Sequence, residues 1–156
     1  MDVHERLEIE DLYAAYVECL DDGALDGWPE LFTDECLYKV IPRENYERGL
    51  PLAVMLCESK AMLRDRVEAL RRTSVYAPRA LRHLVSSLRV QPGAAGVIGV
   101  RANYAVLQTL VDETTQVFNA GRYIDQLVRQ DGRLKFKEKL CVFDSILVPG
   151  SLIYPI

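Results

Sequence analysis

Residues 121–148, GRYIDQLVRQDGRLKFKEKLCVFDSILV, read as two long strands folded back on each other at Asp131-Gly132. An Asp-Gly pair between alternating runs favours a type I′ turn, because both central positions of that turn need positive φ. Before the turn, Tyr123, Asp125, Leu127 and Arg129 alternate with Ile124, Gln126 and Val128. After it, Leu134, Phe136, Glu138 and Leu140 alternate with Lys135, Lys137, Lys139 and Cys141. One face of that ribbon is apolar enough to serve as a core wall, and the other is charged and wet. A hairpin of this length is not stable alone, so the rest of the chain must cover its apolar face.

The N-terminal half offers that cover. Ile9, Leu12, Tyr13, Tyr16, Val17 and Leu20 form one stripe of an amphipathic helix, stopped by Asp22-Gly23. A second, short helix is predicted with Pro29 in its first turn and Trp28, Leu31 and Phe32 as apolar contacts. Residues 36–41 (CLYKVI) form a strand candidate ended by Pro42, and residues 43–56 read as a loop followed by a short strand. Ser59 is placed to N-cap a helix running to about Arg72, with Leu63, Val67 and Leu70 on one face. Four long strand candidates then follow, at 81–91, 97–110, 114–130 and 134–148. Turn signals separate them at Pro92-Gly93, Asp112-Glu113 and Asp131-Gly132. Helices first and an antiparallel meander after predict an α+β fold, with the sheet curled around the helices as a cone that has room for a cavity. The apolar tail 146–156 should dock on its own domain or on a neighbour.

At 156 residues the chain is expected to form a single domain, residues 1–156. With 49% hydrophobic and 27% charged residues it is globular in composition rather than disordered. It lacks the run of about 18 apolar residues that a membrane span needs, and its start is acidic, unlike a secretion signal. The four cysteines are far apart and read as reduced thiols, which makes the cytoplasm the expected compartment. A net charge of -4 argues against a general nucleic-acid role. The charge is unevenly spread. Residues 1–35 hold 12 acidic side chains against Arg6, whereas residues 60–90 hold 8 basic ones against Asp65 and Glu68. Such blocks either complement each other within one fold or meet across a subunit interface.

The residue inventory narrows the chemistry. His4 and His83 are the only histidines, so two histidines plus a carboxylate on iron are not expected. Neither C-x-H nor C-x-x-H occurs, which excludes a Rieske centre on this chain. There is no Gly-rich phosphate loop, no G-x-S-x-G and no zinc pattern. An acid–base site remains open: Tyr13 or Tyr16, His83 and Asp144 could line a pocket and serve an isomerase, dehydratase or cyclase. The competing reading of each is structural. Tyr13 and Tyr16 lie on a packing stripe, His83 sits in a strand, and an inward Asp144 would pair with an arginine such as Arg82. Asp144 shares parity with Leu134 and Phe136, so it points inward only if no bulge intervenes. A small-ligand binding module, with an open cavity but no perturbed acid or base, is a third reading.

An ordered set of residues resembles a known family. It runs through Trp28-Pro29, Leu31-Phe32-Thr33, Cys36, Tyr38, Val40, Asn45 and Gly49-Leu50. It continues with Ser59, Met62-Leu63, Asp65-Arg66, Ala69-Leu70-Arg71, Tyr76, Arg79 and Arg82-His83. It closes with Val117-Phe118, Gly121, Tyr123, Asp125, Asp131-Gly132, Leu134, Cys141 and Asp144-Ser145. In these positions the chain is similar to the small (β) subunits of aromatic-ring-hydroxylating dioxygenases, closest to those acting on aromatic acids of the terephthalate or salicylate type. The resemblance implies a nuclear-transport-factor-like (cystatin-like) cone and a mainly structural role. It implies a large (α) subunit as partner, carrying a Rieske [2Fe-2S] cluster and a mononuclear iron, in an assembly of three large and three small chains. It carries over no catalytic, cofactor-binding or metal residue to this chain. Several relatives have a longer arm before the first helix, and contacts made by that arm are not expected here.

Overall fold

In a computed structural model the described residues are 2–73, 76–145 and 152–156. Helix α1 spans Val3–Asp21, with Asp2 as N-cap accepting the Glu5 N–H at 2.8 Å. Its predicted stripe is the buried one: Ile9, Leu12, Tyr13, Tyr16 and Leu20 face the core. The expected second helix is a single 3₁₀ turn, Pro29–Leu31, and Phe32 already belongs to the next strand. That strand, β1 (Phe32–Pro42), is longer than the apolar run 36–41 suggested. Residues 43–56 depart further from expectation: α2 (Arg43–Glu47) precedes the short strand β2 (Met55–Cys57). Pro42 sits at the N-cap, where its missing N–H costs nothing, and Glu44 pairs with Arg48 one turn on. Helix α3 is Lys60–Arg72, with the Ser59 side chain accepting the Met62 N–H at 3.2 Å as expected.

The remaining strands are β3 (Arg79–Pro92), β4 (Ile98–Leu110), β5 (Gln116–Gln130) and β6 (Arg133–Phe143). They form the predicted antiparallel meander within one six-stranded sheet of order β2-β1-β6-β5-β4-β3. β1 inserts beside β6 in parallel, and β2 closes that side antiparallel to β1. The α+β architecture is the expected one, helices packed against a mostly antiparallel, curled sheet. The tight turn between β5 and β6 has φ of 51° at Asp131 and 77° at Gly132, as a type I′ turn requires. The part of the predicted strand beyond Phe143 that covers 146–148 lies outside the described residues.

Bulges curl the sheet. The β3–β4 register shifts between Ser86 and Arg89, where Ser87 has φ of 54°. The β4–β5 register shifts so that Phe118 stands opposite no residue. The third bulge decides most. Gln126 pairs with Glu138 but Leu127 pairs with Phe136, so Lys137 is the extra residue on β6. Parity reverses there. Leu134 and Phe136 face inward as predicted, whereas beyond the bulge Lys139, Cys141 and Phe143 face inward and Glu138 and Leu140 do not. The expectation that Lys139 lies on the wet face is therefore corrected, and so is the inward Asp144.

The helices divide the cover. Tyr13 and Tyr16 of α1 meet Phe136 edge-on, at 5.5 Å between ring centroids in each case. Contrary to the expectation that it covers the hairpin, α3 packs mainly on β1, β2 and the 3₁₀ turn. The acidic and basic blocks meet within the chain. Lys60 reaches Glu30 and Asp34, Arg64 reaches Glu30, and Arg71 reaches Asp26. No helix among the described residues is long and apolar enough to cross a membrane.

At Gly121 the neighbouring β6 backbone leaves no room for a side chain. A Cβ there would stand 2.0 Å from the Val142 oxygen and 2.7 Å from the Phe143 Cα. Gly121→Ala should therefore cost more than about 2 kcal/mol of stability, in the range reserved for core overpacking. A urea melt showing a loss under about 0.5 kcal/mol would contradict this geometry.

Candidate functional site

The inward faces of β5 and β6, with α1 laid across them, meet at a buried ion pair. Lys139 Nζ lies 2.9 Å from Asp125 Oδ2, and both side chains are fully buried. Tyr13 donates its hydroxyl to the same carboxylate oxygen. Four rings surround the ammonium, at 3.6 Å (Tyr123), 4.3 Å (Tyr16), 4.6 Å (Phe136) and 4.8 Å (Tyr13) from Nζ to centroid. The negative ring faces replace part of the water the ammonium lost. Tyr104 stacks on Tyr123 at 4.3 Å, and its hydroxyl donates to Asn119 Oδ1 at 2.6 Å.

Burial dominates the electrostatics of this centre. It raises the Asp125 carboxyl above its ordinary range, while Lys139 and the Tyr13 hydroxyl pull it back. Burial holds Tyr13, Tyr16 and Tyr123 well above the ordinary phenol range, so all three stay neutral. The Cys141 thiol is pushed up to about 12, first by burial. A general acid or base must reach substrate and exchange protons with it. Here Asp125, Lys139 and Tyr13 are buried among rings and hydrogen-bonded to each other.

The four residues singled out from sequence do not converge. Tyr13 and Tyr16 are in the interior, where Tyr13 meets Asp125 instead of His83 or Asp144. His83, on β3, places Nδ1 2.6 Å from Asp21 Oδ1, and its N–H also donates to that carboxylate. The imidazole thus anchors β3 to the end of α1, the structural reading of the pair. His83 and Tyr13 share one shallow groove of about 590 Å³ between α1 and β3. Asp144 is exposed at the end of β6, 3.1 Å from Arg43 Nη1 rather than paired with Arg82. Asp125 and Lys139 are the residues that sequence reasoning missed. Asp125 shares parity with Tyr123 and Leu127, which placed it on the apolar face. Nothing local announced the bulge that turns Lys139 inward.

The donor set does not fit an iron centre. Among the described residues no group of three or more His, Cys, Asp or Glu side chains could hold a metal ion. His83 is engaged by Asp21, and Cys36, Cys57 and Cys141 are buried.

Breaking the central pair should be costly. Lys139→Ala leaves Asp125 buried without its cation and should lose about 3–5 kcal/mol in chemical denaturation. Lys139→Met combined with Asp125→Leu removes both charges and should recover most of that loss. A double variant no better than the single one would refute the pairing. Alkali should act on the same region. Native Cys141 keeps its proton up to about 12 against an ordinary 9.0. The unfolded chain therefore releases protons first, and stability falls as pH rises above 9. Urea midpoints across that window should decline less steeply in Cys141→Ala, and an equal slope would contradict the assignment.

Known proteins resemble this chain along its whole length. Residues 1–139 match the SnoaL-like domain family. The anthranilate 1,2-dioxygenase small subunit of Burkholderia cepacia is 37% identical over 155 residues, covering 99% of this chain and 96% of that one. The terephthalate 1,2-dioxygenase terminal oxygenase component subunit beta 1 of a Comamonas species is 31% identical over 151 residues, covering 97% and 98%. A solved structure from Novosphingobium aromaticivorans, assigned as the β subunit of an aromatic-ring-hydroxylating dioxygenase, aligns with a TM-score of 0.88 at 40% identity. It covers 99% of this chain and 100% of that one.

Proposed function

Because the chain belongs to the small (β) subunits of aromatic-ring-hydroxylating dioxygenases, built on a SnoaL-like domain, we propose that it joins a large (α) subunit to hydroxylate an aromatic acid. The observation that carries this reading is the end-to-end match to small subunits of anthranilate and terephthalate dioxygenases. In the proposed assembly the large subunit holds the Rieske [2Fe-2S] cluster and the mononuclear iron. Three small chains associate with three large ones in the cytoplasm, each small chain a single domain over 1–156. No residue of this chain acts on the substrate; it is a scaffold. The enclosed aromatic interior supports that role, since it keeps the Lys139–Asp125 pair away from solvent. The free-standing isomerase, dehydratase or cyclase is not favoured, because Asp144 lies apart on Arg43, while Tyr13 and His83, which share a groove, are bonded to Asp125 and Asp21. An exposed apolar run, Leu50, Leu52, Val54 and Leu56, supports assembly with another chain.

Co-expression with a large subunit carrying C-x-H and C-x-x-H should yield a co-purifying, coloured complex, whereas this chain alone should be colourless. Failure to co-purify and to alter the large subunit's turnover would overturn the proposal. Within the complex, His83→Asn should leave kcat within about twofold, since the residue has a structural partner and no substrate. A loss beyond about a hundredfold, with the complex intact, would favour the acid–base reading.

A further inference from the structure

Residues 152–156 run into the interior of the curled sheet. Pro155 and Ile156 are buried, Ile156 completely. The backbone oxygen of Ile156 accepts from the Tyr16 hydroxyl at 2.6 Å, the Tyr38 hydroxyl at 3.1 Å and the Cys141 thiol at 3.2 Å. Its N–H donates to the Tyr38 hydroxyl at 2.9 Å. These donors stand on α1, β1 and β6, three separate walls of the interior. Buried phenol hydroxyls need acceptors, and here a single oxygen brought in by a distant segment receives three donors. The same aromatic cluster holds two more buried donors, Trp28 Nε1 and the Tyr123 hydroxyl, with no hydrogen-bond partner among the described residues. The Trp28 ring lies 5.1 Å from that of Tyr38, and the Tyr123 ring 6.1 Å from that of Tyr16. An apolar enclosure with a few convergent donors has the make-up of a small-ligand site.

We propose that the interior of the cone is a binding cavity for a carboxylic acid or peptide end with a short branched aliphatic body, which this chain fills with its own residues 152–156. The isoleucine side chain supplies the aliphatic body, and its backbone oxygen takes the place of a carboxylate oxygen. Tyr16, Tyr38 and Cys141 are the recognising donors, and Lys139 lies 4.3 Å from the Tyr16 ring behind them. The cavity is defined by this chain alone and stands whether or not a large subunit binds.

The test compares the full chain with a variant lacking 152–156, each given the peptide Leu-Ile-Tyr-Pro-Ile or isovalerate. The shortened chain should bind the peptide one to one by calorimetry and gain about 5 °C or more in Tm at saturation. The full chain should show neither effect. A Tm gain with isovalerate alone would bring free branched acids within the ligand class. No binding of either probe to a folded shortened chain, or an equal response from the full chain, would overturn the proposal. Should the shortened chain not fold, Tyr38→Phe in the full chain removes one donor and one acceptor at Ile156. Hydrogen exchange across 152–156 should then rise at least about tenfold, with β4 and β5 protected as before. Unchanged exchange in that segment would overturn the assignment.

Discussion

The Lys139–Asp125 pair holds the centre of this molecule, and most of the structure can be understood from what that pair requires. Two charges without water cost several kcal/mol each unless their geometry and surroundings compensate. Compensation comes from three directions: the Tyr13 hydroxyl on the carboxylate, four rings around the ammonium, and the 2.9 Å contact itself. Three elements share in it. α1 supplies Tyr13 and Tyr16, β5 supplies Asp125 and Tyr123, and β6 supplies Phe136 and Lys139. The pair is therefore a registration device as much as a source of stability. Sliding β6 by one residue against β5 would turn Lys139 to solvent and strand Asp125 in the core.

The bulge at Lys137 is the means by which this becomes possible. Without it, Leu134 and Phe136 would fix the inward parity for the whole strand, putting Glu138 and Leu140 inside. One inserted residue lets the hairpin keep an apolar inner face near its turn and still deliver a lysine to the centre. The same reversal brings Cys141 inward, where it meets Ile156, and sends Asp144 outward to Arg43. An interior so organised is buried and densely aromatic. That suits a subunit whose work is to hold shape beside a catalytic partner.

Much of this was legible in the residues. The stripe on α1, the Ser59 cap and the Asp131-Gly132 turn are local features, governed by side-chain period and by φ preference, and each appears where the pattern placed it. The 3₁₀ turn at Pro29–Leu31 and the short helix α2 were misread because they are a single turn long, too short for periodicity to register. The candidate site was less legible. Asp125 could be placed inward by parity, but its partner could not, because a bulge leaves no mark in the sequence of one strand. It exists only in the register between two strands.

By itself the sequence determined the order of the long elements, the α+β class, the likeness to dioxygenase small subunits and the absence of Rieske ligand motifs. These follow from residue types and from spacing along one chain. Tertiary structure alone decided which charges meet. It placed the acidic and basic blocks against each other, matched His83 with Asp21, carried Ile156 to Tyr16 and Tyr38, and buried Lys139 with Asp125. The physical reason is common to all four. Such contacts join residues far apart in sequence, and their energies depend on burial and register, which no local pattern encodes.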